Sequence, residues 1–194
     1  MHAGSAMLTR LNMETRRDHS RADQPWLELM GTDVTRARYI DHLVALYGFE
    51  APFEASIALT PGIGERLQLR QRSRSGLIVQ DLLALGLTPS RIARLPQCDL
   101  VVPFRDPPEA LGWMYVIERA TLLHDAVRHY LEDRLPLTGA CGYLSAYDGI
   151  VGARWQELGR ALDDVGNLPQ APEHIIAATR MAFACHRDWF ASTH

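Results

Sequence analysis

The sequence contains no lysine, and its charge balance argues against one common class of partner. All 20 of its Lys and Arg residues are arginine, against 23 Asp and Glu residues, and the formal net charge is −3. Because phosphate-binding surfaces need clustered cations, this balance argues against nucleic acid as the main partner. Arginine presents a planar fork of donors, which suits bidentate contacts with carboxylates better than lysine does.

Cysteine and long apolar runs are also scarce. Cys98, Cys141 and Cys185 are odd in number and far apart, so we expect neither a disulfide framework nor a cysteine metal site. Reduced intracellular thiols are the simplest interpretation. No uninterrupted apolar run reaches the roughly 18 residues of a membrane span, and the N-terminus lacks a signal-peptide core. We therefore expect a soluble cytoplasmic protein with no membrane partner.

Several motifs that carry enzyme chemistry are missing. The chain has no glycine-rich phosphate loop, no GxSxG elbow, no HExxH and no Glu-x-x-His pair. It also lacks internal repeats and the sustained period-two alternation of strands. Helical patterns fill it instead, and 194 residues suit one domain. We predict a single all-α domain over residues 1–194 with seven to nine helices.

The most regular helical pattern covers residues 111–131. Apolar residues recur there at spacings of three and four, which is typical of a helix with one buried stripe. Asp106 followed by two prolines marks the start of this helix. His124 falls inside the stripe, where it is either a buried core histidine or a ligand for a metal or heme.

A second inward histidine lies near the N-terminus. The pattern predicts a first helix over residues 7–27, with His19 on the apolar side. The stripe of this helix consists of Leu8, Leu11, Thr15, His19, Ala22 and Trp26. As for His124, a core role and a ligand role both remain open from the residues alone.

Glycine and proline predict where the other helices end. A second helix starts at Thr32 or Asp33, runs through Tyr47 and is expected to end at Gly48, with a separate short helix over residues 53–59. Residues 65–74 hold four arginines that read as a solvated helix face, namely Arg66, Arg70, Arg72 and Arg74. Further helices are predicted over residues 75–85, 150–165 and 172–192.

The order of several short motifs resembles one family. Leu11-x3-Thr15-x3-His19 looks like the N-terminal motif of heme oxygenases, and Tyr39-x3-Leu43-x2-Leu46-Tyr47-Gly48-Phe49 is similar to the next segment of bacterial members, including those associated with bacteriophytochromes. Gly112-Trp113-x-Tyr115-Val116-x-Glu118 resembles the start of the family's distal helix. Tyr147, Gly152 and Trp155 fit the segment after it. The matching segments cover most of the chain in the family's order.

This resemblance implies a heme oxygenase-like fold that holds heme between a proximal and a distal helix. Active members use heme as cofactor and substrate and open it with O2 and electrons from an external donor, which yields biliverdin, CO and iron. It implies that His19 is the proximal ligand of the heme iron. Arg16 and Arg154 match cationic positions that contact the heme propionates, whereas Asn12 stands where the family usually has a cation.

The chain departs from the family on the distal helix. Arg119, Leu123 and His124 stand where relatives have glycines, which let that helix kink and approach the heme face. Together with Ala120 and Tyr147, these residues are the expected heme neighbours on that side. Three outcomes follow: His124 binds iron as a sixth ligand, side chains fill the pocket, or the helix shifts and leaves an active pocket.

Two other functions remain as alternatives to an active oxygenase. One is a non-catalytic heme-binding protein, such as a sensor, a pseudoenzyme or a partner of a bacteriophytochrome. The other is a thiaminase-like enzyme on the same fold, for which Cys141 in a glycine-rich loop is the candidate nucleophile.

Overall fold

A computed structural model of the protein describes residues 4–193. This part of the chain contains nine α-helices, one 3-10 turn and no strand, which confirms the predicted fold class and helix number. The helices are α1 (Ala6–Glu14), α2 (Arg16–Glu28), α3 (Arg36–Ala58), α4 (Ser75–Ala84), α5 (Pro89–Ile92), α6 (Pro107–Glu132), α7 (Gly142–Ser145), α8 (Val151–Gly166) and α9 (Ala171–Ser192). None of the helices described has the length and apolar character needed to cross a bilayer. Residues 1–3 and 194, at the ends of the predicted domain, lie outside the description.

α6 is the central helix of the fold. Asp106 caps it by accepting a hydrogen bond from the Glu109 backbone N–H at 3.0 Å, as the Asp-Pro-Pro sequence predicts. Residues 110–118 are all buried, because α6 is covered on several sides. Its largest contact is with α9, where a methyl group on Gly112 would come within 2.6 Å of the Ile175 carbonyl oxygen. The two helix backbones can therefore approach this closely only with glycine at position 112.

Two apolar clusters lie along α6. One joins the first half of α6 to α1, α8 and α9, with Trp113, Leu162 and Phe183 among its members. The other joins the second half of α6 to α3, α4 and α7, with Trp26 and Tyr143 among its members. α6 therefore has a structural role in both halves of the core.

The predicted first helix is in fact two helices, with the break at Thr15. The Thr15 hydroxyl donates a hydrogen bond to the Leu11 carbonyl at 2.7 Å, and the Asp18 N–H bonds to the Thr15 carbonyl at 2.9 Å, which tightens the turn. A threonine that bonds back to the preceding turn bends a helix. The bend separates α1 from α2, and His19 begins the second turn of α2.

The prediction that a helix ends at Gly48 is wrong, because α3 continues to Ala58. Pro52 lacks the N–H that would bond to the Gly48 carbonyl four residues earlier. The backbone N–H of Cys98 takes that place, at 2.8 Å from the Gly48 oxygen. A contact from a distant loop thus satisfies the carbonyl that the proline leaves free, and the helix does not break.

The interpretation of residues 65–74 as a solvated helix face is also wrong. The segment is a loop with a 3-10 turn at Leu69–Gln71. Arg66 and Arg70 are exposed, but Arg72 and Arg74 are only 4% and 1% exposed. Their guanidinium groups point into the core and meet buried carboxylates there. The predicted bounds of α4, α8 and α9 agree with the structure within one or two residues, which is the normal uncertainty of helix ends.

Candidate functional site

His19 lies half-buried on α2 and faces α6 and α9, as the apolar stripe predicts. Its ring centroid is 6.4 Å from that of Tyr115 on α6 and 5.7 Å from that of Phe183 on α9. Its Nε2 atom lies 3.1 Å from the Thr15 hydroxyl oxygen and 3.4 Å from the Tyr115 hydroxyl oxygen. The imidazole therefore has aromatic neighbours and two hydroxyl groups near one nitrogen.

The contacts of Thr15 assign the proton on His19. A hydroxyl has one hydrogen, and Thr15 donates it to the Leu11 carbonyl at 2.7 Å. The Thr15 oxygen then accepts from His19, so the hydrogen-bond pattern assigns the proton to Nε2. A metal that binds Nε2 has to displace this proton to the other ring nitrogen and separate the ring from Thr15.

The surroundings of His19 favour its neutral form. Burial is the larger cause that lowers its pKa, and the Arg119 guanidinium lowers it further, while the carboxylates of Asp23 and Asp18 act in the opposite direction. A histidine must be neutral to bind a metal, so the direction of this pKa shift is compatible with ligation by His19. The 4–193 region has no group of three or more His, Cys, Asp or Glu residues placed to hold a metal ion.

A cavity of about 340 Å³ adjoins His19. α6 and α8 provide one wall of it, and α1 and α2 provide the other. Its lining consists of Leu8, Thr9, Asn12, His19, Tyr115, Arg119, Leu122 and Trp155. A second cavity of about 380 Å³ lies between α1 and α8 and shares Leu8 and Trp155 with the first. The volume of each is in the range of small-molecule sites, about 300–1,000 Å³.

Arg119 reaches across this cleft from α6 to α2. Its guanidinium makes two hydrogen bonds to the carboxylate of Asp23, one from Nη1 to Oδ1 and one from Nη2 to Oδ2 at 2.8 Å. Asp23 lies one helical turn after His19. Helix spacing from His19 was a signal that would have found this residue, which the sequence analysis did not name.

The other residues predicted to be near heme are divided between the cleft and the core. Asn12 lines the cavity, and Arg16 is exposed on the first turn of α2. Ala120 and Leu123 are half-buried and pack on the apolar cluster that contains Trp26. Tyr115 and Trp155, which the sequence analysis placed only in family motifs, line the cavity itself.

His124 lies away from His19, in a different part of the molecule. It is 3% exposed, and its ring centroid is 5.0 Å from that of Trp26 and 4.9 Å from that of Tyr143. Neither of its ring nitrogens has a hydrogen-bond partner among residues 4–193. Burial, first, and the charge of Arg74, second, hold its pKa well below the usual value, so the ring is neutral. It borders a cavity shared with Thr121 and not the one that contains His19.

Arg154 and Tyr147 belong to a buried polar network that includes Glu118 of α6. Tyr147 donates to Glu118 Oε1 at 3.0 Å, and Arg72 Nη1 lies 2.9 Å from Glu118 Oε2. Arg154 pairs with Glu157 at 3.0 Å. The sequence analysis missed this network, because its members come from distant segments with no shared motif.

A second pair extends the same network. Arg74 Nη2 lies 3.8 Å from Glu50 Oε1, and the Tyr143 hydroxyl donates to the same carboxylate. Burial raises the pKa of Glu50 to about 7, although Arg74 and the hydrogen bond from Tyr143 act in the opposite direction. These ion pairs join α3, α6 and α8 to the loop that carries Arg72 and Arg74.

The surroundings of Cys141 do not activate a nucleophile. The side chain is buried, and burial raises the pKa of its thiol to about 11. A catalytic cysteine needs a lowered pKa, because the thiolate is the reactive form. This observation works against the thiaminase-like alternative.

The protein is thus an all-α protein with a cavity between facing helices and an inward histidine beside that cavity. The chain is similar in structure to the NO- and CO-bound heme oxygenase from Neisseria meningitidis, with a TM-score of 0.77 and 20% identity over 96% of this chain and 91% of that one. At this identity the likeness establishes the fold. The family model for heme oxygenase matches residues 5–192. The chain therefore belongs to the heme oxygenase family, whose members take heme as substrate. No curated protein matches it.

Proposed function

We propose that the protein binds heme in the cleft between α2 and α6, with His19 as the proximal ligand of the iron. One observation carries the proposal: a neutral, half-buried imidazole on α2 faces α6 beside a cavity. A porphyrin needs an apolar lining, which Leu8, Leu122 and Trp155 provide. Arg16, one turn before His19 and exposed, is in a suitable place to contact a propionate.

The wall formed by α6 favours binding over turnover. After Gly112, α6 contains no glycine. Bulky side chains therefore stand at the positions where, by the resemblance, glycines leave room for oxygen and water. Arg119 crosses the cleft next to the imidazole. Arg119 and Tyr115 line the cavity beside His19, so we expect heme binding to require the cleft to widen. We therefore propose heme binding with little or no ring-opening activity as the leading function.

Family membership supports a second candidate, an active oxygenase. Such an enzyme consumes O2 and electrons from an external donor and forms biliverdin, CO and iron. Coordination of iron by His124 requires a rearrangement of α6, because His124 is buried against Trp26 and Tyr143. A functional link to a bacteriophytochrome remains a prediction from the resemblance.

A heme titration followed by absorbance tests the proposal. His19→Ala is the critical variant, and His129→Ala is its matched control on α6, because the His129 side chain is 63% exposed. We expect a saturable Soret band at one heme per chain in the wild type and the control, and its loss in His19→Ala. An unchanged band in His19→Ala would remove His19 from the site.

Addition of a reductant and O2 to the heme complex separates the two candidates. Loss of the Soret band with formation of a biliverdin spectrum identifies an oxygenase. A stable ferrous or oxygenated heme spectrum identifies a binding protein. His124→Ala should leave the heme spectrum unchanged if His124 stays in the core, whereas a change from low to high spin would make it the sixth ligand.

A further inference from the structure

The ion pair between Arg119 and Asp23 spans the cleft beside His19, whose cavity Arg119 lines. It joins the middle of α6 to the middle of α2 through two parallel hydrogen bonds. The side chains are 17% and 19% exposed, so water screens the pair only in part. Bidentate pairs of this kind are stronger than the single contacts typical of a protein surface.

The position of the pair decides its effect on a ligand. Asp23 lies one turn after His19 on α2, and Arg119 lies one turn after Tyr115 on α6. The pair is therefore next to the imidazole, and Arg119 and His19 line the same cavity. A planar ligand that approaches His19 Nε2 from the side of α6 must enter the space that Arg119 crosses.

In the same arrangement, the nitrogen proposed to bind iron, His19 Nε2, is already engaged in a hydrogen bond. His19 Nε2 donates to the Thr15 hydroxyl at 3.1 Å, and the Tyr115 hydroxyl oxygen is 3.4 Å away. Tyr115 is held in the core, with its ring edge-on to Trp155 at 5.8 Å and to Phe183 at 6.3 Å. Widening of the cleft separates α2 from α6, and Arg119 is the residue of α6 whose side chain is ion-paired to α2 in this region.

We propose that the Arg119–Asp23 ion pair is an autoinhibitory contact, which keeps the cleft closed and has to break before heme reaches His19. The inference rests on the proposed function, since it assumes that His19 is the heme ligand. It adds that the charge of Arg119 opposes binding, whereas elsewhere in such proteins arginine attracts the propionates. Loss of this one charge should therefore increase heme affinity.

The test measures the rate and affinity of heme binding in two variants of Arg119. Arg119→Gln removes the charge and keeps most of the length, and Arg119→Gly removes the side chain as well. We expect Kd to decrease about tenfold in Arg119→Gln, the effect of roughly one charge-assisted hydrogen bond, and further in Arg119→Gly. Arg128→Gln is the matched control, because Arg128 is on the same helix, is also 17% exposed and pairs with Asp125 away from the cleft. Its Kd should equal that of the wild type.

A charge reversal tests whether the ion pair itself keeps the cleft closed, as distinct from other effects of replacing Arg119. Arg119→Asp should repel Asp23 and increase the rate of heme binding, and the double variant Arg119→Asp with Asp23→Arg should restore the slow rate. A merely structural role for either residue does not predict this restoration. Far-ultraviolet circular dichroism checks that each variant has the helix content of the wild type.

The outcomes distinguish this inference from the proposed function. Tighter binding in both Arg119 variants, lost when His19→Ala is added, supports it. Equal affinity and rate in the wild type and the Arg119 variants, with binding that still depends on His19, overturns the autoinhibitory role and leaves the proposed function intact. Absence of heme binding from every variant, including Arg119→Gly, overturns both.

Discussion

Substitution of Glu118 by glutamine should show how much stability the buried charges on α6 provide. Glu118 is 1% exposed, its Oε2 lies 2.9 Å from Arg72 Nη1, and its Oε1 accepts from Tyr147 at 3.0 Å. Glutamine keeps the shape of the side chain and removes its charge. Arg72 then remains in the core without its closest counter-charge, a situation that costs about 3–5 kcal/mol for a fully buried pair.

Arg72 has two further partners that reduce this cost. It lies 3.1 Å from Glu157, which is partly exposed, and it donates to the Arg154 carbonyl at 2.9 Å. We therefore expect the lower end of the range, about 3 kcal/mol. For a domain of this length that corresponds to a decrease in Tm of about 6–12 °C.

Urea unfolding followed by circular dichroism measures this loss, and Glu109→Gln serves as its control. Glu109 is on the same helix, but its partner Arg105 has a side chain that is 73% exposed, so the control should lose less than about 1 kcal/mol. A loss below about 1 kcal/mol for Glu118→Gln would refute the reasoning, because it would mean that the buried pair adds no net stability.

Three other predictions concern packing, pH and thiol reactivity. Gly112→Ala should lower Tm by several degrees, because its methyl group would meet the Ile175 carbonyl oxygen at 2.6 Å, whereas Gly152→Ala, with nothing within 4 Å, should be neutral or slightly stabilising. An equal effect of the two would contradict the close packing of α6 on α9. Burial lowers the pKa of His186 to about 4 from 6.5, so the unfolded chain binds the extra proton between these values and stability falls as pH decreases through them. His186→Phe should remove up to about 3 kcal/mol of that decrease in urea unfolding at pH 4 and 7, and an unchanged pH slope would argue against a buried neutral ring. Cys141 should react slowly with a thiol reagent in the native protein and rapidly in urea, because burial raises its pKa to about 11; fast native labelling would reopen the thiaminase-like alternative.

The sequence was informative where local pattern decides the structure. Apolar spacing predicted α6 and the inward direction of His19, and Asp106 with its prolines predicted the start of α6. These features depend on residues within one or two turns of each other. The resemblance to heme oxygenases, which rests on the order of short motifs, is confirmed at the level of the family and the fold.

The features that were predicted wrongly depend on contacts between residues that are distant in the chain. Gly48 does not end a helix, because Cys98 supplies the hydrogen bond that Pro52 cannot make. Arg72 and Arg74 are buried, because carboxylates on α6 and α3 receive them. Nothing in the local sequence distinguishes these arginines from Arg66 and Arg70, which are exposed. The sequence likewise contains no signal that Arg119 pairs with Asp23, since the two residues are 96 positions apart.

The unequal burial of the two cleft walls has a consequence for how the site can change. α6 buries thirteen residues, whereas α1 buries Met7 and Leu11 and α2 buries Trp26. Movement of α6 would disturb both apolar clusters. We therefore expect the proposed opening of the cleft to displace α1 and α2, which bury fewer residues. The two walls of the cleft therefore differ in the number of substitutions that they can accept during evolution. We expect substitutions at the exposed positions of α1 and α2 to alter ligand access at little cost in stability, while the buried positions of α6 are restricted by the fold regardless of the ligand.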